Sequence, residues 1–197
     1  MKTRKLCLTA ALMMGLTMTM SCDEQDNPVN NGSTKTDEFT TQVNCQRNEG
    51  DEWKDAEIKM LFKVTSEDPA EVKVSDCEQL TGKPVKFTIP ETLQATMMNQ
   101  GQEVIKNYAV TAIGVMAFYD GDALTEVVLP SGLKQIEGFA FGNCKSLESI
   151  DIPQSVETID SYAFDGCTSL KKATIHGNPT LTASSFPAET QLEYVKE

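Results

Sequence analysis

His176 is the only histidine in the chain, so a Ser-His-Asp or Cys-His device would have to be built on it. It closes the alternating run Lys172-Ala-Thr-Ile175 where two sibling runs carry Pro130 and Pro153, so it reads as a turn residue rather than a general base. Zinc would need a second ligand type close by, and the chain has no Cys-x-x-Cys or His-x-x-His pair. Asp120-Gly-Asp122 lacks the regular oxygen spacing of a calcium loop and reads as a polar turn. With 29 acidic residues, carboxylate pairs are plentiful, and none singles itself out as the acid and nucleophile of a glycosidase. The sequence therefore predicts no catalytic residue, no metal and no cofactor.

The spacing that does stand out is structural. Ile113-Gly-Val-Met-Ala117-Phe118, Ile136-Glu-Gly-Phe-Ala140-Phe141 and Ile159-Asp-Ser-Tyr-Ala163-Phe164 recur every 23 residues, each followed at a fixed offset by Leu124, Leu147 or Leu170. A period of about 20 to 29 residues with one strand per unit is the mark of a leucine-rich solenoid, whose units bury their apolar sides only by stacking on each other. The expected fold is mainly β, with one parallel strand and a short helical turn per unit. Ile113, Phe118, Leu124, Ile136, Phe141, Leu147, Ile159, Phe164 and Leu170 form its core.

Other columns fall into register. Glu126-Val-Val-Leu129, Ser149-Ile-Asp-Ile152 and Lys172-Ala-Thr-Ile175 alternate with the period of a half-buried strand, and Pro130 and Pro153 end the first two. Cys144 and Cys167 share one column, with Gly121 in the first unit. Adjacent strands lie about 4.8 Å apart, within the reach of a disulfide, but stacked parallel side chains do not readily turn toward each other. Two buried thiols are the favoured reading. Cys45 and Cys77 either pair, pinning the end of a linker to a cap, or stay free; the sequence leaves both open.

An incomplete unit precedes these three. Val85-Lys-Phe-Thr-Ile89-Pro90 matches the later strands, and the 40 residues from Pro90 to Pro130 hold an insert of about 17 over one period. Asn99-Gln-Gly101 between two alternating runs makes that insert, residues 93–110, a β-hairpin. Upstream, Ser66-Glu-Asp-Pro69 separates two more strands, so 51–84 is expected to form an N-terminal β cap on the repeats of 85–180. Residues 181–197 depart from the pattern and are expected to cap the other end.

The N-terminus carries different information. Lys2, Arg4 and Lys5 precede an apolar stretch, Leu6 to Met20, of signal-peptide length and too short to span a bilayer as a helix. Ser21-Cys22 then resembles the cleavage site of a bacterial lipoprotein, with Thr19 where such sites usually carry leucine. The resemblance implies a removed signal over 1–21, acylation of Cys22 and a membrane anchor through that lipid. Cys22-Asp-Glu-Gln-Asp26 is similar to the acidic export signal of surface-exposed lipoproteins in some Gram-negative anaerobes, which implies an outer membrane location facing the cell exterior. In other Gram-negative bacteria an aspartate right after the cysteine favours the inner membrane instead. Residues 22–50 are polar and acidic with few apolar side chains, and are expected to form a flexible linker. Cleavage would take the formal charge from −12 to −15, which repels nucleic acid and anionic lipid.

Taken together, Val-Thr-Ala-Ile-Gly…Ala-Phe followed by Cys…Leu…Ile-x-Ile-Pro…Val-x-x-Ile resembles the BspA-type leucine-rich repeat, over about Val85 to Ile175. That family consists of bacterial surface proteins, many from gut and oral anaerobes, and its characterised members are mostly adhesins or surface antigens. The resemblance implies a non-catalytic binder of a protein or glycan ligand, host matrix included, with an accessory subunit of an envelope complex as the alternative. The outward positions of the strands are the default binding face: Lys86, Thr88, Glu126, Val128, Ser149, Asp151, Lys172 and Thr174. They include no aromatic or arginine anchor, so modest or multivalent affinity is expected there.

Overall fold

The computed structural model describes residues 18–19, 38–50, 52–78, 80–99 and 102–195, with the backbone alone at 18–19, 96–99 and 102–103. Every regular element among them is a strand. The alternating runs fold as their patterns dictate. β8 (Leu124–Val128), β10 (Ser149–Ile152) and β12 (Lys172–His176) bury Val127, Ile150, Ile152, Ala173 and Ile175 and turn the intervening residues outward. β10 and β12 pair in parallel at the repeat period, Ser149 opposite Lys172 and Ile152 opposite Ile175. A second parallel ladder runs through β9 (Gln135–Ile136), β11 (Thr158–Ile159) and β13 (Thr180–Leu181), joined at one end to β7 (Gln102–Ile113).

The turn that carries each Ala-Phe pair is not helical. Tyr119 N–H donates to Met116 O and Gly121 N–H to Phe118 O, three residues back, as in successive tight turns. The intervening N–H groups leave the unit: Phe118 donates to Ala140 O at 2.8 Å and Asp120 to Gly142 O at 2.9 Å. Phe141 and Asn143 repeat this toward Ala163 and Asp165. Left-handed backbone at Met116 (φ 58°) and Asp120 (φ 57°), and at Phe139 and Asn143 in the next unit, reverses the helical sense every fourth residue. The expected short helical turn is therefore replaced by a third inter-unit ladder. Ala117, Ala140 and Ala163 are wholly buried at its closest approach.

The phenylalanines behind those alanines form one column. Phe87, Phe118, Phe141, Phe164 and Phe186 stack with centroids 5.7, 5.0, 5.1 and 4.7 Å apart, and the last three rings lie within 5° of parallel. Phe186 belongs to the segment expected to cap the C-terminal end. Instead of departing from the repeat, 181–195 continues it: β13 extends one ladder, and β14 (Gln191–Val195) pairs in parallel with β12 and extends the other. The unit is shortened, with Ser185-Phe186 in place of Ala-Phe, and that irregular spacing hid it. The hydroxyl of buried Ser185 donates to Thr182 O at 2.6 Å, with Ile159 O also in reach at 3.1 Å.

At the other end, part of the stretch read as flexible linker is a strand. β2 (Glu38–Asn48) pairs antiparallel with β3 (Trp53–Glu67) over its whole length and buries Phe39, Thr41, Val43 and Cys45 on one face. Two of those four are polar or small, so hydropathy alone gave little signal. The backbone pairing and the Phe39–Phe62 stack, at 6.0 Å, supply the partners that order it. β1 (Met18–Thr19), within the 1–21 segment expected to be removed as a signal, pairs with Thr40–Thr41 along the same strand.

β2, β3 and β4 (Ala70–Cys77) form a meander that joins the β7–β9–β11–β13 ladder to the first repeat strands, while β10, β12 and β14 make a separate three-stranded sheet. β4 runs parallel to β7, while β2 runs antiparallel to β5 (Val85–Thr88), which is parallel to β8. The cap is thus one continuous sheet from β13 at one end to β8 at the other. Lys73 of β4 fastens it to the second unit through Glu137 at 2.8 Å, and Glu137 also accepts Val115 N–H at 2.9 Å. The insert forms the hairpin of β6 (Thr92–Asn99) and β7, in register from Thr92 opposite Ala109 to Asn99 opposite Gln102. Among the described residues, no helix is long and apolar enough to cross a membrane.

Candidate binding face on the outer sheet

The outward residues singled out in the sequence fall into two blocks. On β5 and β8, Lys86 lies opposite Glu126 and Thr88 opposite Val128. On β10 and β12, Ser149 lies opposite Lys172 and Asp151 opposite Thr174. β14 extends the second block, and Lys172 pairs there with Glu193, which holds that carboxyl below its ordinary range. His176 also reaches this face, its Nε2 2.7 Å from Asp151 Oδ1. The second block is therefore internally paired.

The first block is open and has residues that the repeat pattern did not point to. β2 brings Gln46 beside Lys86, and β3 brings Asp55 beside Gln46, completing a cross-strand row Asp55–Gln46–Lys86–Glu126. Gln46 Nε2 donates to Asp55 Oδ1 at 3.4 Å. A groove of about 560 Å³ runs over this row and over Asn44, Thr88, Pro90 and Val128. The Lys86 ammonium stands 4.6 Å above the ring of Trp53, which is 39% exposed. The face thus has one aromatic anchor after all, contributed by the cap. The only sequence signal for it was a lone tryptophan next to an alternating run.

The row offers an acid at each end, an amide and an ammonium between them, and an indole beside the ammonium. Those groups can donate to and accept from hydroxyls or a peptide backbone, and the indole gives a flat apolar contact. Val128, 48% exposed, adds an apolar point at the groove's far side.

The repeat core residues are all buried, from Ile113, Phe118 and Leu124 in the first unit to Ile159, Phe164 and Leu170 in the third. Cys144 and Cys167 are free thiols in that core. Each donates to the carbonyl of the phenylalanine one unit earlier, Cys144 to Phe118 O at 3.1 Å and Cys167 to Phe141 O at 3.0 Å. The neighbouring Cys167 thiol and burial hold the Cys144 pKa well above that of an exposed thiol. Cys45 and Cys77 are also free, with burial raising both. Among the described residues, no group of three or more His, Cys, Asp or Glu is placed to hold a metal ion. Cys22 lies outside the described residues.

Comparison with known proteins gives the chain its relatives. The family described as BspA type leucine rich repeat region matches residues 86–196 in six copies, against the three full units and one partial unit counted from the 23-residue spacing. A leucine-rich repeat protein from Bacteroides ovatus is 26% identical, with 68% of this chain covering 36% of that one at a TM-score of 0.49. A leucine-rich repeat protein from Bacteroides capillosus is 19% identical, over 60% of this chain and 94% of that one, at 0.38. A leucine rich cell surface protein from Faecalibacterium prausnitzii is 16% identical, over 68% of this chain and 48% of that one, at 0.34. The chain therefore spans about a third of the length of the Bacteroides ovatus protein. No curated protein matches it. With more than half of its residues matched by the repeat pattern and the stacked parallel strands in register with it, the chain belongs to the BspA-type leucine-rich repeat family.

Proposed function

We propose that the chain is a non-catalytic, lipid-anchored surface protein whose repeat solenoid binds a protein or glycan ligand through the groove over Gln46, Asp55, Lys86 and Glu126. The groove beside Trp53 carries this reading. It is the place on the outer sheet where polar groups, an exposed ring and a concave surface coincide. Acylation at Cys22, followed by the acidic segment, anchors the domain in the outer membrane facing outward, and binding serves adhesion to a host surface or to neighbouring cells.

A screen of the chain against matrix proteins, mucins and glycans tests the binding. At least one ligand is expected whose affinity falls about tenfold on Trp53→Ala or Glu126→Gln. Binding that ignores both substitutions removes the groove from the proposal. Anchoring is tested separately: Cys22→Ala is expected to abolish acyl labelling, and retained labelling overturns it. The alternative is an accessory subunit of an envelope complex. It is favoured if a stable envelope partner co-purifies and that contact is lost with the same substitutions.

A further inference from the structure

A run of exposed apolar side chains lies on the turn edge of the repeats, away from the outer sheet. Val115, Met116, Tyr119 and Tyr162 are 57, 49, 37 and 44% exposed. Phe139, between them, stacks on Tyr162 at 5.2 Å and 12° and meets Tyr119 edge-on at 6.4 Å. Met116, Phe139 and Tyr162 hold the same place in three units, each in left-handed backbone with φ between 56° and 63°. A bulky side chain in that conformation costs about 1–2 kcal/mol that glycine would not. The fourth unit has Ser184 there, also left-handed, with no ring to continue the stack.

Tyr119 is laid flat by its neighbours. Its ring crosses Gly142, where a Cβ would come within 2.6 Å of it. Asn143 Nδ2 donates to the Tyr119 hydroxyl at 3.1 Å and to Asp120 Oδ1 at 2.9 Å, tying ring and carboxylate together. Asp165 follows Gly142 in the same column. The turn segments 114–123, 137–146 and 160–169 hold five carboxylates, Asp120, Asp122, Glu137, Asp160 and Asp165, and one lysine. Lys145 pairs with Asp122 and Lys73 with Glu137, whereas Asp120 and Asp165 form no ion pair among the described residues.

We infer that this edge docks an arginine-bearing extended segment of a partner protein. A guanidinium stacks on an aromatic face and pairs with a carboxylate through parallel N–H donors, and this surface offers both at neighbouring positions. An ammonium meets the charge requirement without the planar one. The site is separate from the groove beside Trp53 and does not depend on it.

The test uses the full chain and three short peptides alternating glycine with arginine, lysine or citrulline. The arginine peptide is expected to bind about tenfold more tightly than either of the others. Tyr119→Ser with Tyr162→Ser is expected to weaken it about tenfold, and so is Asp120→Asn with Asp165→Asn. The asparagine pair keeps shape and turn preference, so it reads binding even where the serine pair disturbs folding. Thr168→Ala with Lys171→Ala, outside both the edge cluster and the groove, is expected to leave the affinity for the arginine peptide unchanged. Equal binding of the arginine and lysine peptides, no binding of the arginine peptide, or an unchanged affinity in the asparagine pair overturns the inference.

Discussion

Replacing Phe141 by alanine tests whether the repeat is held together by its ring column. Phe141 is fully buried and stacks between Phe118 and Phe164, at 5.0 and 5.1 Å. Removing a buried phenylalanine costs about 3–5 kcal/mol, of which each ring pair contributes about 0.5–1.5. For the middle of the column we expect about 4 kcal/mol, a large part of a total stability of about 5–15. Phe186 has one ring neighbour and is only partly buried, so its removal should cost about 1.5–2 kcal/mol. Phe141→Leu keeps the apolar contact and loses both ring pairs, at about 1–3 kcal/mol. Urea titration and thermal melting of the three variants measure these values. At about 2–4 °C per kcal/mol, Phe141→Ala should lower Tm by about 8–16 °C. A Phe141→Ala cost no larger than that of Phe186→Ala would refute the idea that the column carries the inter-unit stability.

Three further outcomes are expected. Gly166→Ala combines a φ of 71° with a Cβ that collides with Asn143 Oδ1, and should cost about 1–2 kcal/mol; Gly132→Ala, with open space around it, should stay near zero. Cys45, Cys144 and Cys167 should resist alkylation in the native protein and label fully in denaturant without reductant, as mass spectrometry would read; failure to label in denaturant would reveal a disulfide. Glu193 has a folded pKa lowered by Lys172, so its contribution is present above the unfolded value of about 4.3 and is lost as pH falls through the lower folded value. Amide exchange in 191–195 should accelerate over that window, and Glu193→Gln should remove the pH dependence.

Much of the repeat was legible in the sequence because its determinants are local and periodic. Alternation in Ser149–Ile152 and Lys172–Ile175 assigned strands, faces and even the pairing partner, since a parallel stack at fixed period leaves one register. The turn was misread as helical because an Ala-Phe pair beside small residues looks the same in both. What decides it is the left-handed backbone at Met116, Phe139 and Tyr162, which side-chain type does not announce. β2 was missed because Thr40, Thr41 and Cys45 become core only through pairing with β3 and β5. The groove beside Trp53 was half visible: Lys86, Thr88, Glu126 and Val128 came from the pattern, while Gln46 and Asp55 come from strands distant in sequence.

The sequence by itself determined which residues face in, how the units stack, and that the thiols and the lone histidine are positions in a repeat. Periodicity is enough for that, because each unit can satisfy its backbone and apolar side only against a copy of itself. Tertiary structure decided how the ends are closed and which surfaces are left to bind. The meander joining the β7–β9–β11–β13 ladder to β5 and β8, and the ring column reaching Phe186, depend on contacts between segments that share no local pattern. The aromatic edge at Tyr119, Phe139 and Tyr162 depends on left-handed backbone that side-chain type does not announce.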